Sequence, residues 1–232
     1  MTNLVDQYHW DACYQEHEFM PASANDALRL WLQKFINATS RTDVLQTCFE
    51  IGCFPGRYLA VFGDAGYELN GIDLTPRVST DMPRWLAACR YKTGTFRQAD
   101  FCSFVDEKKY DVVCSFGFIE HFPNFEEILQ LHTRLVKEGG YLVVCAPNFR
   151  GSLQYVLHKY LDSDNLGRHW VPAMNPPIWA KVAESSGFKI IESGYLGSFD
   201  FWVEEQPRNY WQRRILSLIS RLKPHLERIV PY

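Results

Sequence analysis

The sequence predicts an α/β protein built on a mostly parallel sheet, with helices on both faces and an antiparallel last strand. Three observations predict it. Apolar runs of strand length alternate with amphipathic stretches of helix length through most of residues 44–193. Three of the first runs end in acids, Glu50, Asp73 and Asp100. A glycine turn, Gly52 to Gly56, joins the first run to the helix-like stretch after it. Parallel strands need a crossover, and the pocket of such a unit opens at the strands' carboxyl ends, so Val44–Asp73 reads as a nucleotide-binding βαβ unit.

With 232 residues, 47% of them hydrophobic and 22% charged, the chain has material for one sizeable core with additions. We expect a single domain over 1–206, carrying an N-terminal helical cap (1–40) and a lid-like insertion (148–175). The formal net charge of −3 leaves no basic footprint for nucleic acid, which is not an expected partner. Seven cysteines stand singly in the sequence with no C-x-x-C pair. They read as reduced core thiols of a cytoplasmic protein, with neither a zinc cluster nor a disulfide frame, and no metal site is predicted. The first residues, MTNLVDQYHWDACYQEHE, lack the basic patch and apolar run of a signal peptide. No apolar run approaches the ~20 residues that span a bilayer.

Taken in order, Ser23, Asn25 or Asp26 caps a helix whose Leu28, Trp31, Leu32, Phe35 and Ile36 share one face. Before it, Tyr8, Trp10, Tyr14 and Phe19 form an aromatic cluster that packs on the sheet edge or caps the pocket. Strands are expected at 44–50, 67–73, 94–100, 110–116 and 141–146. Helices are expected at 57–65, at 76–90 with a kink or restart at Pro83, and from Asn124 through Val136 to a stop at Gly139-Gly140. Residues 148–175 hold a short helical piece and a polar loop around Asp162–Arg168. An insertion after a central strand, at the rim of the sheet, is where a substrate lid sits. A helix at 177–186 then precedes two short strands, 188–193 and 199–204, whose brief connection predicts antiparallel pairing.

The last stretch, 207–232, alternates Arg208, Arg213, Arg214, Arg221, Lys223 and Arg228 with Trp211, Ile215, Leu218, Ile219 and Leu222. That is a basic amphipathic helix, expected to end near Pro224. It suits peripheral contact with an anionic membrane at the inner face, or docking on the domain or on a second subunit as a homodimer.

The acids and glycines select the cofactor. An acid ending the second strand can accept both hydroxyls of a ribose in charge-assisted hydrogen bonds, so Asp73 is the most functional acid in the chain. Asp100 is placed for an adenine amino group, with Phe101 beside the base. A dinucleotide fingerprint from Gly52 would need glycine at 54 and 57, where the chain has Phe54 and Arg57, and no P-loop lysine follows. What stands there is E-x-G-x-x-x-G, starting at Glu50. A cationic sulfonium and ammonium favour a neighbouring acid over a phosphate cradle, so the pattern favours S-adenosylmethionine (SAM). A nicotinamide-dependent oxidoreductase and a non-catalytic SAM-binding or scaffold protein are the rival readings.

EIGCFPGRYL, GID, QADF, YDVVCSFGFIEHF and RLVKEGGYLVVCAPN, in that order, resemble the motif series of class I SAM-dependent methyltransferases, the broad small-molecule group of the methyltransferase-11 type. The resemblance covers about residues 44–147 and implies a Rossmann-like sheet and an EC 2.1.1 activity. By it, Gly52 and Gly56 line the methionine moiety, and Glu50, Cys53 and Phe54 of the same turn are further candidates for the cofactor side. Asp73 and Leu74 hold the ribose and adenine, Asp100 and Phe101 the adenine, and Ser115 and Phe116 line the cofactor at the fourth strand end. Phe54 departs from the family, which has a small residue there; it either points away or narrows the pocket.

Methyl transfer to a hydroxyl gains from a base, and histidine is the natural one near neutral pH. His121, after the fourth strand, and His169, in the insertion, are the two candidates. Tyr14, Phe118, Phe122, Tyr155 and Trp170 imply an aromatic acceptor pocket, suited to a small molecule or a glycan, including a lipid-linked sugar.

Overall fold

The computed structural model describes residues 3–41, 43–204 and 207–229. Five strands, β1 (Thr47–Ile51), β2 (Glu68–Asp73), β3 (Lys92–Gln98), β4 (Tyr110–Phe116) and β5 (Val136–Cys145), form one sheet in the order β3-β2-β1-β4-β5. Every pairing is parallel. β1 and β4 are buried almost throughout, which is why their sequences run apolar without alternation. β3 is an edge, and its Lys92, Arg97 and Gln98 face water.

Helices α1 (Gln7–Tyr14), α2 (Ala27–Thr39), α3 (Leu59–Asp64), α4 (Asp81–Ala88), α5 (Phe125–Thr133), α6 (Ser152–Leu161), α7 (Ser163–Gly167), α8 (Pro176–Ser185) and α9 (Tyr210–Ile229) complete the described residues. Of the three candidate caps for α2, Asp26 is used; its Oδ1 accepts from the Arg29 N–H. One core layer packs Leu32 and Ile36 of α2, Leu59 and Phe62 of α3 and Met82 and Leu86 of α4 on the sheet. The opposite layer sets Phe125 and Ile128 of α5 and Trp179 of α8 against Phe49, Ile51 and Val113.

Several expected boundaries move, each for a local reason. Pro76–Val78 forms one 3-10 turn and α4 restarts at Asp81, so Pro83 falls in its first turn, where no backbone donor is lost. Gly139-Gly140 is a bulge inside β5. The pairing jumps from Tyr110↔Val136 to Val112↔Tyr141, Gly139 takes φ +71°, and a Cβ on Gly140 would lie 2.8 Å from the Asp111 carbonyl. Leu135 and Val136 therefore leave the helix. Asp162–Arg168, expected as a loop, contains α7, because Asp162 and Asn165 are buried and bonded to each other at 2.8 Å.

The antiparallel strand pair at 188–193 and 199–204 is not formed. Residues 188–204 are irregular, and Glu192 accepts from the Trp31 indole at 3.0 Å instead of joining the sheet. Phe201 and Trp202 pack on His158, and Trp202 on Phe149 as well, so these aromatic side chains are used against the insertion. In α9 the helix continues through Pro224 to Ile229 rather than ending near it.

Candidate active site

A cavity of about 300 Å³ opens at the carboxyl ends of β1 to β4. Its wall holds Gly52 after β1, Asp73 and Leu74 at the end of β2, Asp100 and Phe101 after β3, and Gly117 and Phe118 after β4. The N-terminal segment closes the other side with Val5, Trp10 and Tyr14. Gly52 takes φ +66°, and a Cβ on it would sit 2.6 Å from the Phe118 ring. Glycine is thus needed both for the turn and for the close approach of that ring.

Asp73 is held by backbone. Its Oδ1 accepts from the Thr75 N–H at 3.0 Å and its Oδ2 from the Phe54 N–H at 3.1 Å, with the Leu74 N–H a third backbone donor to the carboxylate. Burial pushes its carboxyl pKa upward. Asp100 is anchored through the Cys102 N–H at 2.9 Å.

Other residues expected at the cofactor stand behind this wall. Glu50 is buried; one of its carboxylate oxygens takes the Leu59 N–H, Oε2 has no hydrogen-bond partner among the described residues, and desolvation lifts its pKa well above the usual range. Cys53 is fully buried, and a Cβ on Gly71 would meet its Sγ at 2.6 Å. Gly56 takes φ +81° and lets the turn lie against Met82 and Trp85. Phe54 points away from the cavity into Tyr14 and Phe19, with the Arg77 guanidinium over its ring. Arg77 also donates to the Tyr14 carbonyl, so Phe54 and Arg77 together pin the N-terminal cap. Phe116 packs on Tyr58. Ser115 bonds His132 Nε2 at 3.0 Å, and His132 Nδ1 lies 2.8 Å from the Ile128 carbonyl. A ring nitrogen beside a carbonyl must donate, so Nε2 accepts from the serine hydroxyl. Burial holds His132 down at about 4.

After β4, His121 lines the cavity and the His169 ring lies against it, tilted by 51° with 4.8 Å between ring centres. His121 Nδ1 faces the Arg168 carbonyl at 2.9 Å and His169 Nδ1 the Asn165 carbonyl at 2.7 Å. Both rings therefore donate from Nδ1 and keep an Nε2 lone pair. Desolvation, with His169 next in size, lowers His121 to about 4 and keeps it neutral at pH 7. Phe118 and Phe122 stand beside it in the wall. Tyr155 lies exposed on α6 and Trp170 is partly exposed; neither lines the cavity, although the Trp170 N–H donates to the Glu120 carbonyl at 2.6 Å.

Glu120 was not singled out in the sequence. It is 1% exposed, its Oε2 has no partner among the described residues, and its Oε1 lies 3.9 Å from His121 Nε2. The available signal was its place beside a candidate histidine in the otherwise apolar FIEHF. Arg77 follows the GID motif by four residues, but nothing in its neighbours marks it as a partner of the N-terminal segment.

The residues present fit a nucleoside cofactor: a carboxylate facing the cavity at the second strand end and a glycine turn with no room for a Cβ. The fold is that of a class I methyltransferase, the class whose cofactor is SAM. A family model described as a methyltransferase domain matches residues 16–193, and the chain belongs to that family. It is 26% identical over 203 residues to a ubiquinone biosynthesis O-methyltransferase of Nitrosomonas europaea, covering 81% of this chain and 79% of that protein. A protein of the same description from Leptothrix cholodnii is 29% identical over 143 residues, which is 60% of this chain and only 57% of the relative. The fold is shared with magnesium protoporphyrin IX methyltransferase of Synechocystis, solved with bound S-adenosylhomocysteine, at a TM-score of 0.57, 14% identity and coverage of 84% and 89%.

Proposed function

We propose that this protein transfers a methyl group from SAM to a hydroxyl of a small molecule or glycan, with a ring-bearing acceptor best matched to the site. The observation that carries this reading is one cavity with two chemically different ends: ribose- and adenine-binding groups at β2 and β3, and a neutral histidine among aromatic rings after β4. The likeness to O-methyltransferases supports oxygen as the methylated atom.

SAM supplies the electrophilic methyl group. Asp73 and Leu74 would hold its ribose and adenine, Asp100 and Phe101 its adenine, and Gly52 its methionine end, with Glu50, Cys53, Phe54, Gly56, Ser115 and Phe116 shaping that wall from behind. Trp10, Tyr14, Phe118 and Phe122 exclude water and orient the acceptor, which supplies much of the acceleration in a displacement of this kind. His121 Nε2 takes the hydroxyl proton, with His169 behind it holding its ring.

Calorimetry with S-adenosylhomocysteine and NAD tests the cofactor; heat with NAD alone overturns the reading. Incubation with methyl-labelled SAM and extract fractions then identifies the acceptor, and label on protein alone overturns the small-molecule assignment.

Contact with a membrane is part of this reading. Trp211 is 72% exposed and Leu218 and Leu222 of α9 are also exposed, while Val156 and Tyr160 of α6 stand open beside them; Gln212 Nε2 donates to the Tyr160 carbonyl and joins the two helices. With Arg213, Arg214 and Arg221 on α9, this surface suits anionic lipid. Among the described residues no helix is long and apolar enough to cross a bilayer. Sedimentation with phosphatidylglycerol vesicles but not phosphatidylcholine vesicles supports the contact; a concentration-dependent dimer with no vesicle binding replaces it with a second subunit.

A further inference from the structure

Glu120, His121 and His169 are brought together from two separate segments, the turn after β4 and the end of α7. One ligand-type atom of each lies within 4.8 Å of the other two. The burial and the hydrogen bonds around them are what set this cluster apart from an ordinary surface group of acids and histidines. Glu120 is 1% exposed, and its Oε2 has no partner among the described residues. A buried carboxylate oxygen left unpaired costs free energy that a native structure normally recovers with a partner. Each histidine spends Nδ1 on a backbone carbonyl, Arg168 for His121 and Asn165 for His169. That is the arrangement that orients an imidazole so that its other nitrogen can ligate a metal.

We propose that Glu120, His121 and His169 bind one divalent first-row transition-metal ion, of which zinc and cobalt are the natural probes. Two imidazoles and one carboxylate are a ligand set for such ions and leave a coordination position open. Tetrahedral ligands at about 2.1 Å from an ion stand about 3.4 Å apart. Glu120 Oε1 and His121 Nε2 are 3.9 Å apart and the ligand atom of His169 lies within 4.8 Å of the other two, so side-chain rotations of about 0.5–1.5 Å close the set. The cluster borders the cavity. His121 and Gly117 both line it, and a Cβ on Gly117 would lie 3.4 Å from Glu120 Oε1.

The role of the ion rests on the methyltransferase reading, but its binding does not. A hydroxyl bound to the open position loses its proton more readily. The O–H bond breaks, its electron pair stays on the oxygen beside the cation, and the proton passes to solvent. In the metal-loaded protein this replaces proton uptake by His121, whose Nε2 lone pair is then on the ion. Phe118 and Trp10 keep a bound ring in place beside it.

The test uses the full chain, stripped with a chelator and titrated with Co²⁺, followed by visible absorption and by metal analysis after gel filtration. The expected result is one ion per chain with the ligand-field bands of a tetrahedral site, displaced by Zn²⁺. His169→Gln and Glu120→Gln should each weaken Co²⁺ binding at least tenfold while S-adenosylhomocysteine affinity, measured by calorimetry, stays within twofold. No Co²⁺ retained by the native chain, or His169→Gln retaining it with equal affinity, overturns the proposal. If a variant loses its native circular dichroism, the stoichiometry and spectrum of the native chain decide. Metal uptake without S-adenosylhomocysteine binding leaves the site standing and removes the methyltransferase reading, so the two fail separately.

Discussion

The two ends of the cavity are built in different ways. The end we propose for the cofactor is made of positions one strand apart, Gly52, Asp73 and Asp100, set by β1, β2 and β3, with both carboxylates held by nearby backbone donors. The end we propose for the acceptor is made of side chains far apart in the chain, Trp10 and Tyr14 near the start of the sequence, His121 after β4 and His169 against it. A sheet edge can hold the first set with little help. The second exists only while cap, turn and insertion are docked, so it is the end that can diverge without loss of the fold.

This contrast can be broken by separating the two ends experimentally. The largest effect is expected for His121→Ala, which should lower turnover by about 10²–10⁴-fold and leave S-adenosylhomocysteine affinity nearly unchanged in calorimetry. Equal losses in both would mean that the ends are not independent.

Next in size is a pH effect beneath the wall. Burial disfavours the His132 imidazolium, so the folded chain protonates it near pH 4 and the unfolded chain near 6.5. The native state is favoured fully above about pH 6.5 and loses on the order of 3 kcal/mol of stability as pH falls to about 4. In urea melts at pH 7 and 5, His132→Asn should lose less stability on acidification than the native chain, by on the order of 2 kcal/mol, His121 continuing to act in the same sense and Glu120 in the opposite one.

A smaller change is expected for Gly52→Ala. The positive φ and the Phe118 ring should together weaken S-adenosylhomocysteine about thirtyfold, roughly 2 kcal/mol. The smallest is Asp73→Asn, which removes the charge but keeps an acceptor, and should cost about tenfold in the same assay. A tenfold loss of turnover at saturating cofactor in this variant would contradict its place at the cofactor end.

Much of this was legible in local pattern. Asp73 marks a strand end because the apolar run of β2 stops there, whereas Glu50 lies buried one residue before the end of β1 and Asp100 stands two residues beyond β3, whose exposed edge carries no apolar run. The turn at Gly52 is equally local. Phe54 was ambiguous, since its ring could point either way; the direction follows from its N–H serving Asp73 while Tyr14 and Phe19 take the ring. The Gly139-Gly140 pair reads as a helix stop by composition, and only the partner strand makes it a bulge. Residues 188–204 have strand-like composition, yet their side chains find better partners on α2 and α6 than a place in the sheet.

The sequence by itself determined the parallel sheet, the glycine turn and the acids of the cofactor wall, because period, glycine conformation and strand termination are short-range properties. Only the tertiary structure decided that Glu120, His121 and His169 converge, that Arg77 and Phe54 pin the cap, and that β5 ends the sheet. Those features depend on contacts between segments separated by many residues, and the free energy of such contacts is decided by burial and hydrogen-bond pairing that no local pattern records.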